Sequence, residues 1–124
     1  FEVEIRGRLL YDSVMSARDF YLRFASLVNA VNKDTDIDSI ALRLLEVITE
    51  AQAQGAPLKV TDALKLDFAS YATLHKKIEN LKALGYLRIE HPKDSMRTKF
   101  LAPTEQTLDY FDALGKALLK VAKK

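Results

Sequence analysis

The sequence predicts a mainly helical α+β domain with one small β-hairpin, and three observations predict it. Apolar residues recur at helical spacing in five segments between Arg8 and Val121. Two short segments, residues 86–90 and 98–103, carry strand-type residues on either side of a polar tip containing Pro92. A short helix and a longer one, parted by a brief turn, stand directly before that hairpin.

Phe1, Val3 and Ile5 alternate with Glu2, Glu4 and Arg6, a run too short to separate a strand from an ordered tail. From Arg8 to Val31 the period is helical. Phe20, Phe24, Leu27, Val28 and Val31 form one stripe, and Leu9, Leu10 and Val14 extend it backwards. Residues 32–36 break the pattern with polar turn formers, and Asp36 or Asp38 can cap the next helix by accepting from its free amides. That helix sets Ile40, Ala41, Leu44, Leu45, Ile48 and Ala51 on one face and stops at Gly55-Ala56-Pro57.

Residues 58–60 suit a brief strand. Thr61 is placed to cap a short helix through Leu66, with Asp62 favourable in its first turn. Residues 66–69 make the turn, Ser70 caps the second helix, and Gly85 ends it. On that helix Tyr71, Leu74, Ile78 and Leu81 point inward. After the hairpin, Pro103 and Thr104 open a last helix, with Thr104 accepting from the amide three residues on and Glu105 complementing the positive helix end. Leu108, Tyr110, Phe111, Leu114, Leu118, Leu119 and Val121 cover more than one face of it, which calls for a second partner. Helix, turn, helix and hairpin in this order make a winged helix-turn-helix, a layout that usually binds duplex DNA.

A chain of 124 residues makes one core, and 48% hydrophobic with 29% charged residues places it among folded globular proteins. With no cysteine there is no disulfide, thiolate metal site or thiol switch. No apolar run approaches the ~18 residues of a membrane span, and no signal peptide is visible, so a cytoplasmic protein without membrane attachment is expected. The first residue is Phe1, not Met, which suggests a fragment or a processed chain. Net charge is only +2, but its distribution is uneven: residues 1–53 carry −3 and residues 54–124 carry +5. Basic charge gathers where a DNA-reading head would lie. A lysine-rich solvated surface accounts for it equally well.

Opposite the inward face of the second helix lie Ala69, Ala72, Thr73, Lys76 and Asn80. Small residues admit close approach to a groove; Thr73 and Asn80 can exchange hydrogen bonds with base edges, and Lys76 can reach a phosphate or a guanine. At the hairpin, Lys93, Arg97 and Lys99 bring three cations to the tip and returning strand. Arg97 suits the narrow minor groove, whose negative potential attracts guanidinium. Asp94 is expected to pair with Arg97 or Lys93 and shape the tip. A charge-protected edge strand would also use lysines here.

The stretch from Leu58 to Thr104 resembles the winged helix-turn-helix of MarR-type bacterial transcriptional regulators. The matching pieces are Thr73-Leu74-His75-Lys76-Lys77-Ile78 leading to Leu81 and Leu84-Gly85-Tyr86-Leu87, then Asp94-Ser95-Met96-Arg97-Thr98-Lys99 running to Leu101 and Thr104. Arg97 and Thr104 keep the family's spacing between the wing arginine and the threonine that starts the final helix. The chain departs from the pattern in placing Asp94 three residues before Arg97, and in having Gln106-Thr107 where a glycine is common.

The resemblance implies a homodimer built from the first and last helices, with each wing in a minor groove and each recognition helix in a major groove. It divides the chain into an N-terminal helical dimerisation segment (1–38), a winged helix-turn-helix DNA-binding domain (39–103) and a C-terminal dimerisation helix (104–124). The expectation is a sequence-specific double-stranded DNA-binding transcriptional regulator, with repression as its expected sense, acting on a pseudo-palindromic operator. Ser70, Thr73, Lys76, Lys77 and Asn80 would serve the major groove or its backbone, and Lys93, Arg97 and Lys99 the wing. Phe20, Phe24, Leu27, Val28, Val31, Leu108, Phe111, Leu114 and Leu118 would form the dimer interface. Relatives often hold a small-molecule effector between the dimer helices and the winged domain; Tyr11, Tyr21 and Phe24 are candidates to line such a pocket.

No enzyme is expected. His75 and His91 have no serine, carboxylate or second histidine spaced for catalysis, the four glycines make no phosphate loop, and neither a metal site nor a cofactor is indicated. The rival reading is a winged helix used for protein–protein assembly, without DNA binding.

Overall fold

A computed structural model describes residues 16–33, 35 and 37–122. The alternation at Phe1–Ile5, the Leu9–Val14 extension of the first helix and Tyr11 lie outside the described residues. Helix α1 spans Ala17–Asn32. Ser16 caps it from an extended conformation, its Oγ accepting the Asp19 N–H at 3.1 Å.

Helix α2 (Ser39–Ala53) is capped by Asp38, whose Oδ1 accepts from the Ala41 N–H at 2.9 Å. It buries Ala41, Leu44, Leu45 and Ile48. Gly55, at φ 79°, ends it: Gly55 N–H donates to Gln52 O and Ala56 N–H to Ala51 O.

Strand β1 (Leu58–Lys59) passes straight into helix α3 (Val60–Ala63). This short helix begins one residue before Thr61 and has no side-chain cap. The Val60 N–H donates to Lys99 O at 3.0 Å, so the chain passes from strand pairing into the helix, and the Leu64 N–H that a Thr61 cap would serve donates instead to Val60 O at 3.1 Å.

Helix α4 (Tyr71–Ala83) is capped by Ser70, whose Oγ accepts the Thr73 N–H at 3.2 Å. Leu74, Ile78 and Leu81 are buried, as the wheel predicts. Tyr71 is not: it is 64% exposed and stacks on His75, ring centroids 6.3 Å apart. A first-turn side chain leans beyond the helix N-terminus, so angular phase alone does not put it against the core. Gly85 exits at φ 90°, with Tyr86 N–H donating to Leu81 O and Gly85 N–H to Lys82 O.

Strands β2 (Leu87–Glu90) and β3 (Phe100–Pro103) form the hairpin, and the sheet order is β1-β3-β2, antiparallel throughout. Leu101 of the central strand faces Leu58 on one side and Ile89 on the other. Pro103 closes β3 opposite Leu87 and does not open the last helix. It needs no N–H there, and its carbonyl accepts from Arg88 Nη1 at 2.5 Å. Helix α5 then runs Glu105–Ala122, with Thr104 Oγ1 accepting from the Thr107 N–H at 3.4 Å.

Residues Ile37–Asp109 form one compact unit. Leu44, Leu45, Ile48, Leu74, Ile78, Leu81 and Leu101 are fully buried in it, each stabilising it by roughly 1.5–3 kcal/mol. The described residues of α1, and α5 from Tyr110 onward, belong to a second unit. There the Tyr110 hydroxyl donates to Asn32 Oδ1, and Leu114 and Val121 are buried. Helix α1 has no buried residue: Phe20, Phe24, Leu27 and Val28 are half-buried and Val31 is exposed. Leu114, expected at the dimer interface, is already buried in the single chain, while Phe111 and Leu118 are half-buried and Leu108 is exposed.

Candidate nucleic-acid interface

Ser70 caps α4, and Thr73, Lys76 and Asn80 project from its first three turns. Ser70 does more than cap the helix. Its hydroxyl donates to Thr73 Oγ1 at 3.0 Å, so the Thr73 hydroxyl proton is turned to a further acceptor. Ala72, Lys76 and Asn80 are exposed, and Thr73 is half-buried at the edge of this face. A hydroxyl donor, a cation and an amide thus share one helix surface floored by a small residue. That chemistry matches base acceptors and phosphates.

Lys77, expected on the DNA backbone, is turned inward. Its ammonium donates to Asp38 Oδ2, the carboxylate that also caps α2. Lys77 therefore ties α4 to the N-terminus of α2. Burial alone would raise the Asp38 carboxyl, but the Lys77 hydrogen bond, the Ala41 amide, the Lys77 charge and the Ile40 amide outweigh it and hold it below the usual carboxylate value. Asp38→Ala is expected to lower unfolding free energy by about 1–2 kcal/mol at neutral pH, mostly through the lost cap, because the exposed ion pair adds little. A carboxyl depressed in the folded state contributes fully above its unfolded pKa, and the contribution fades as pH falls through the folded value. Urea titrations should therefore show the gap between wild type and Asp38→Ala narrowing as pH falls below the ordinary aspartate value of about 3.9. A gap of constant size would remove the ionised carboxylate as its cause.

The wing tip, residues 91–99, is organised by Ser95. Its Oγ accepts from the Arg97 N–H at 3.3 Å and from the Thr98 N–H at 3.4 Å. Asp94 joins neither Lys93 nor Arg97 in an ion pair among the described residues, contrary to expectation. A hydroxyl can accept from local amides at once, whereas a solvated carboxylate gains little from an exposed cation. His91 Nδ1 lies 3.0 Å from Thr98 O across the base of the tip.

Charge on this surface is divided, with Asp94, unpaired among the described residues, as the exception. Glu79 pairs with Lys82 at 3.0 Å, and Glu90 pairs with Arg88 at 2.5 Å. Both acidic residues are thus taken up by cations outside the candidate set. Lys76, Lys93, Arg97 and Lys99 are exposed and enter no ion pair among the described residues.

Sequence reasoning missed the exposed Tyr71–His75 stack and the side chains of Thr107 and Gln106. Thr107 is wholly buried, and its hydroxyl donates to Tyr86 O; Gln106 Nε2 reaches Leu84 O at 3.5 Å. The residue pair standing where relatives have a glycine was the available signal. Along α1, Leu22, Arg23, Ser26, Leu27 and Ala30 line an open groove of about 760 Å³ with Val121; Tyr21 and Phe24 do not line it. Among the described residues no cluster of three or more histidines, cysteines or carboxylates could hold a metal, and no helix is long and apolar enough to cross a membrane.

No family model and no curated protein matches the sequence. Solved structures do. A transcriptional regulator from Thermotoga maritima superposes with a TM-score of 0.63 at 15% identity, over 94% of this chain and 75% of that one. Apo MarR from E. coli gives 0.56 at 14% identity, over 94% and 78%. BpsR of Bordetella bronchiseptica, whose DNA binding is regulated by 6-hydroxynicotinic acid, gives 0.53 at 18% identity, over 99% and 81%. The chain has the winged-helix fold of MarR-family transcription regulators.

Proposed function

We propose that this chain is a double-stranded DNA-binding transcriptional regulator, acting as a homodimer on a pseudo-palindromic operator and, in its expected sense, repressing. The observation that carries the reading is the charge division: helix and wing keep Lys76, Lys93, Arg97 and Lys99 unneutralised while Glu79 and Glu90 are internally paired. Ser70 presents Thr73, and Thr73, Lys76 and Asn80 serve the major groove; Lys93, Arg97 and Lys99 serve the wing. Lys77 contributes by holding α4 to Asp38. Two-fold related recognition helices require half-sites about 10 bp apart.

The second copy covers the α1 stripe of Phe20, Phe24, Leu27, Val28 and Val31, together with Leu108, Phe111 and Leu118. A helix with no buried residue of its own, beside an exposed Leu119, supports that occupant. The groove along α1 is open and continuous with Leu27 of this stripe, which favours a second copy over a small-molecule effector there.

The test is fluorescence anisotropy with random-sequence duplex, titrating salt. Affinity should fall linearly on log–log axes, with a slope near −0.9 per phosphate contact. Absence of binding at low salt would sink the DNA reading and leave a winged helix that docks onto protein.

A further inference from the structure

We propose that Thr104, Gln106 and Thr107 are positioning residues for DNA binding, a latch that sets the direction in which the recognition helix and the wing leave the last helix. The inference rests on the DNA-binding reading and adds the residues that aim its two contacting elements.

The chain leaves α4 through Leu84, Gly85 and Tyr86, whose carbonyls lie past Ala83, the last residue of the helix. Each is met by a side chain from the start of α5. Gln106 Nε2 donates to Leu84 O at 3.5 Å, Thr104 Oγ1 to Gly85 O at 2.6 Å, and Thr107 Oγ1 to Tyr86 O. The Thr104 N–H also donates to Tyr86 O at 3.2 Å. Three successive carbonyls are thus held by three side chains within four residues.

Position along the chain gives these bonds their consequence. Leu87 opens β2 and Pro103 closes β3, so residues 84–86 and 104–107 bracket the base of the wing. The bond from Arg88 to Pro103 O lies at the same base. Recognition helix and wing are therefore both referenced to one turn of α5. A Cβ added at Gly85 would lie 2.9 Å from Gln106 Oε1, the movable end of an exposed side chain, and Gly85 stands at φ 90°, a conformation that glycine adopts without strain.

Thr107 separates positioning from simple stabilisation. It is the buried polar residue among the described ones, and its hydroxyl is not needed to cap α5, which Thr104 does. Tyr86 O would retain the Thr104 N–H without it. Valine would fill the same volume without placing a hydroxyl in the interior. What the hydroxyl adds is direction, since a hydrogen bond constrains angle as well as distance and an apolar contact does not.

Thr107→Val and Thr107→Ser test it, in the full chain, at a temperature where circular dichroism shows both folded. Duplex affinity is read by anisotropy across a salt titration. Thr107→Val should weaken binding about tenfold with an unchanged salt slope, because every phosphate-binding group is still present, and Thr107→Ser should return within threefold of wild type. A folded Thr107→Val that binds like wild type overturns the latch. So does one whose slope falls with its affinity, since a shallower slope means that a phosphate is no longer neutralised. If Thr107→Val does not fold, the exposed Gln106→Ala decides: weakening of about threefold supports the latch, and unchanged affinity overturns it. A wild-type chain that binds no duplex fails the underlying DNA reading and the latch with it, whereas wild-type binding matched by Thr107→Val removes the latch alone.

Discussion

Alanine at Lys93, Arg97 and Lys99 together should lower duplex affinity roughly 100-fold, at about 0.5 kcal/mol for each of the exposed charge-assisted contacts that the two wings of a dimer make. All three are exposed and none is neutralised by a described residue, so nothing in the free protein competes for them. Each cation that meets a phosphate releases condensed counterions, so the log–log salt slope should become shallower by about 0.9 for every phosphate that a wing no longer neutralises. Arg97→Ala alone should cost the largest share, about tenfold, because guanidinium suits the narrow minor groove. Stability should hardly move, since Ser95 organises the tip through backbone amides that alanine at 97 retains. Sedimentation should likewise find the assembly state unchanged. Anisotropy across a salt series measures affinity and slope together. A triple variant with wild-type slope would take the wing out of the mechanism and leave α4 as the sole DNA-binding element.

Local chemistry was the legible part of this chain. Ser70, Asp38 and Thr104 each accept from the amide three residues on, as their positions before apolar-periodic segments indicate. Gly55 and Gly85 end their helices at positive φ for the reason glycine is favoured there. Leu74, Ile78 and Leu81 are buried as period 3.6 demands. Errors came where a partner lies far along the chain or where a competing local partner wins. Lys77 finds Asp38 across 39 residues, a pairing that periodicity cannot register. The amide Thr61 would cap goes to the Val60 carbonyl, and the tip is ordered by Ser95 on backbone amides and not by an Asp94 ion pair. The latch of Thr104, Gln106 and Thr107 binds backbone carbonyls, which every sequence has and none advertises. In the site, residue types on the exposed face of α4 and in the wing could be read directly. Their neutralisation state could not, because Glu79–Lys82 and Glu90–Arg88 depend on which rotamers reach.

Leu101→Ala should cost the most stability, about 3 kcal/mol within the range for a buried leucine truncation. Leu101 is wholly buried on the central strand, in register with Leu58 of β1 and Ile89 of β2. Losing its side chain opens a cavity where the three strands meet, and two flanking strands of two and four residues have little other means of holding register. Urea unfolding should show a lower midpoint at unchanged slope if the native fold survives. The functional consequence follows from the same geometry. Val60 N–H pairs with Lys99 O beside this strand, so a loosened β3 disturbs both the start of α3 and the returning arm of the wing. Duplex affinity should therefore fall even where the variant is fully folded, with partial recovery in Leu101→Met, which refills much of the volume. A folded Leu101→Ala within 1 kcal/mol of wild type would mean that the sheet repacks around the loss, and that the base of the wing is held from elsewhere.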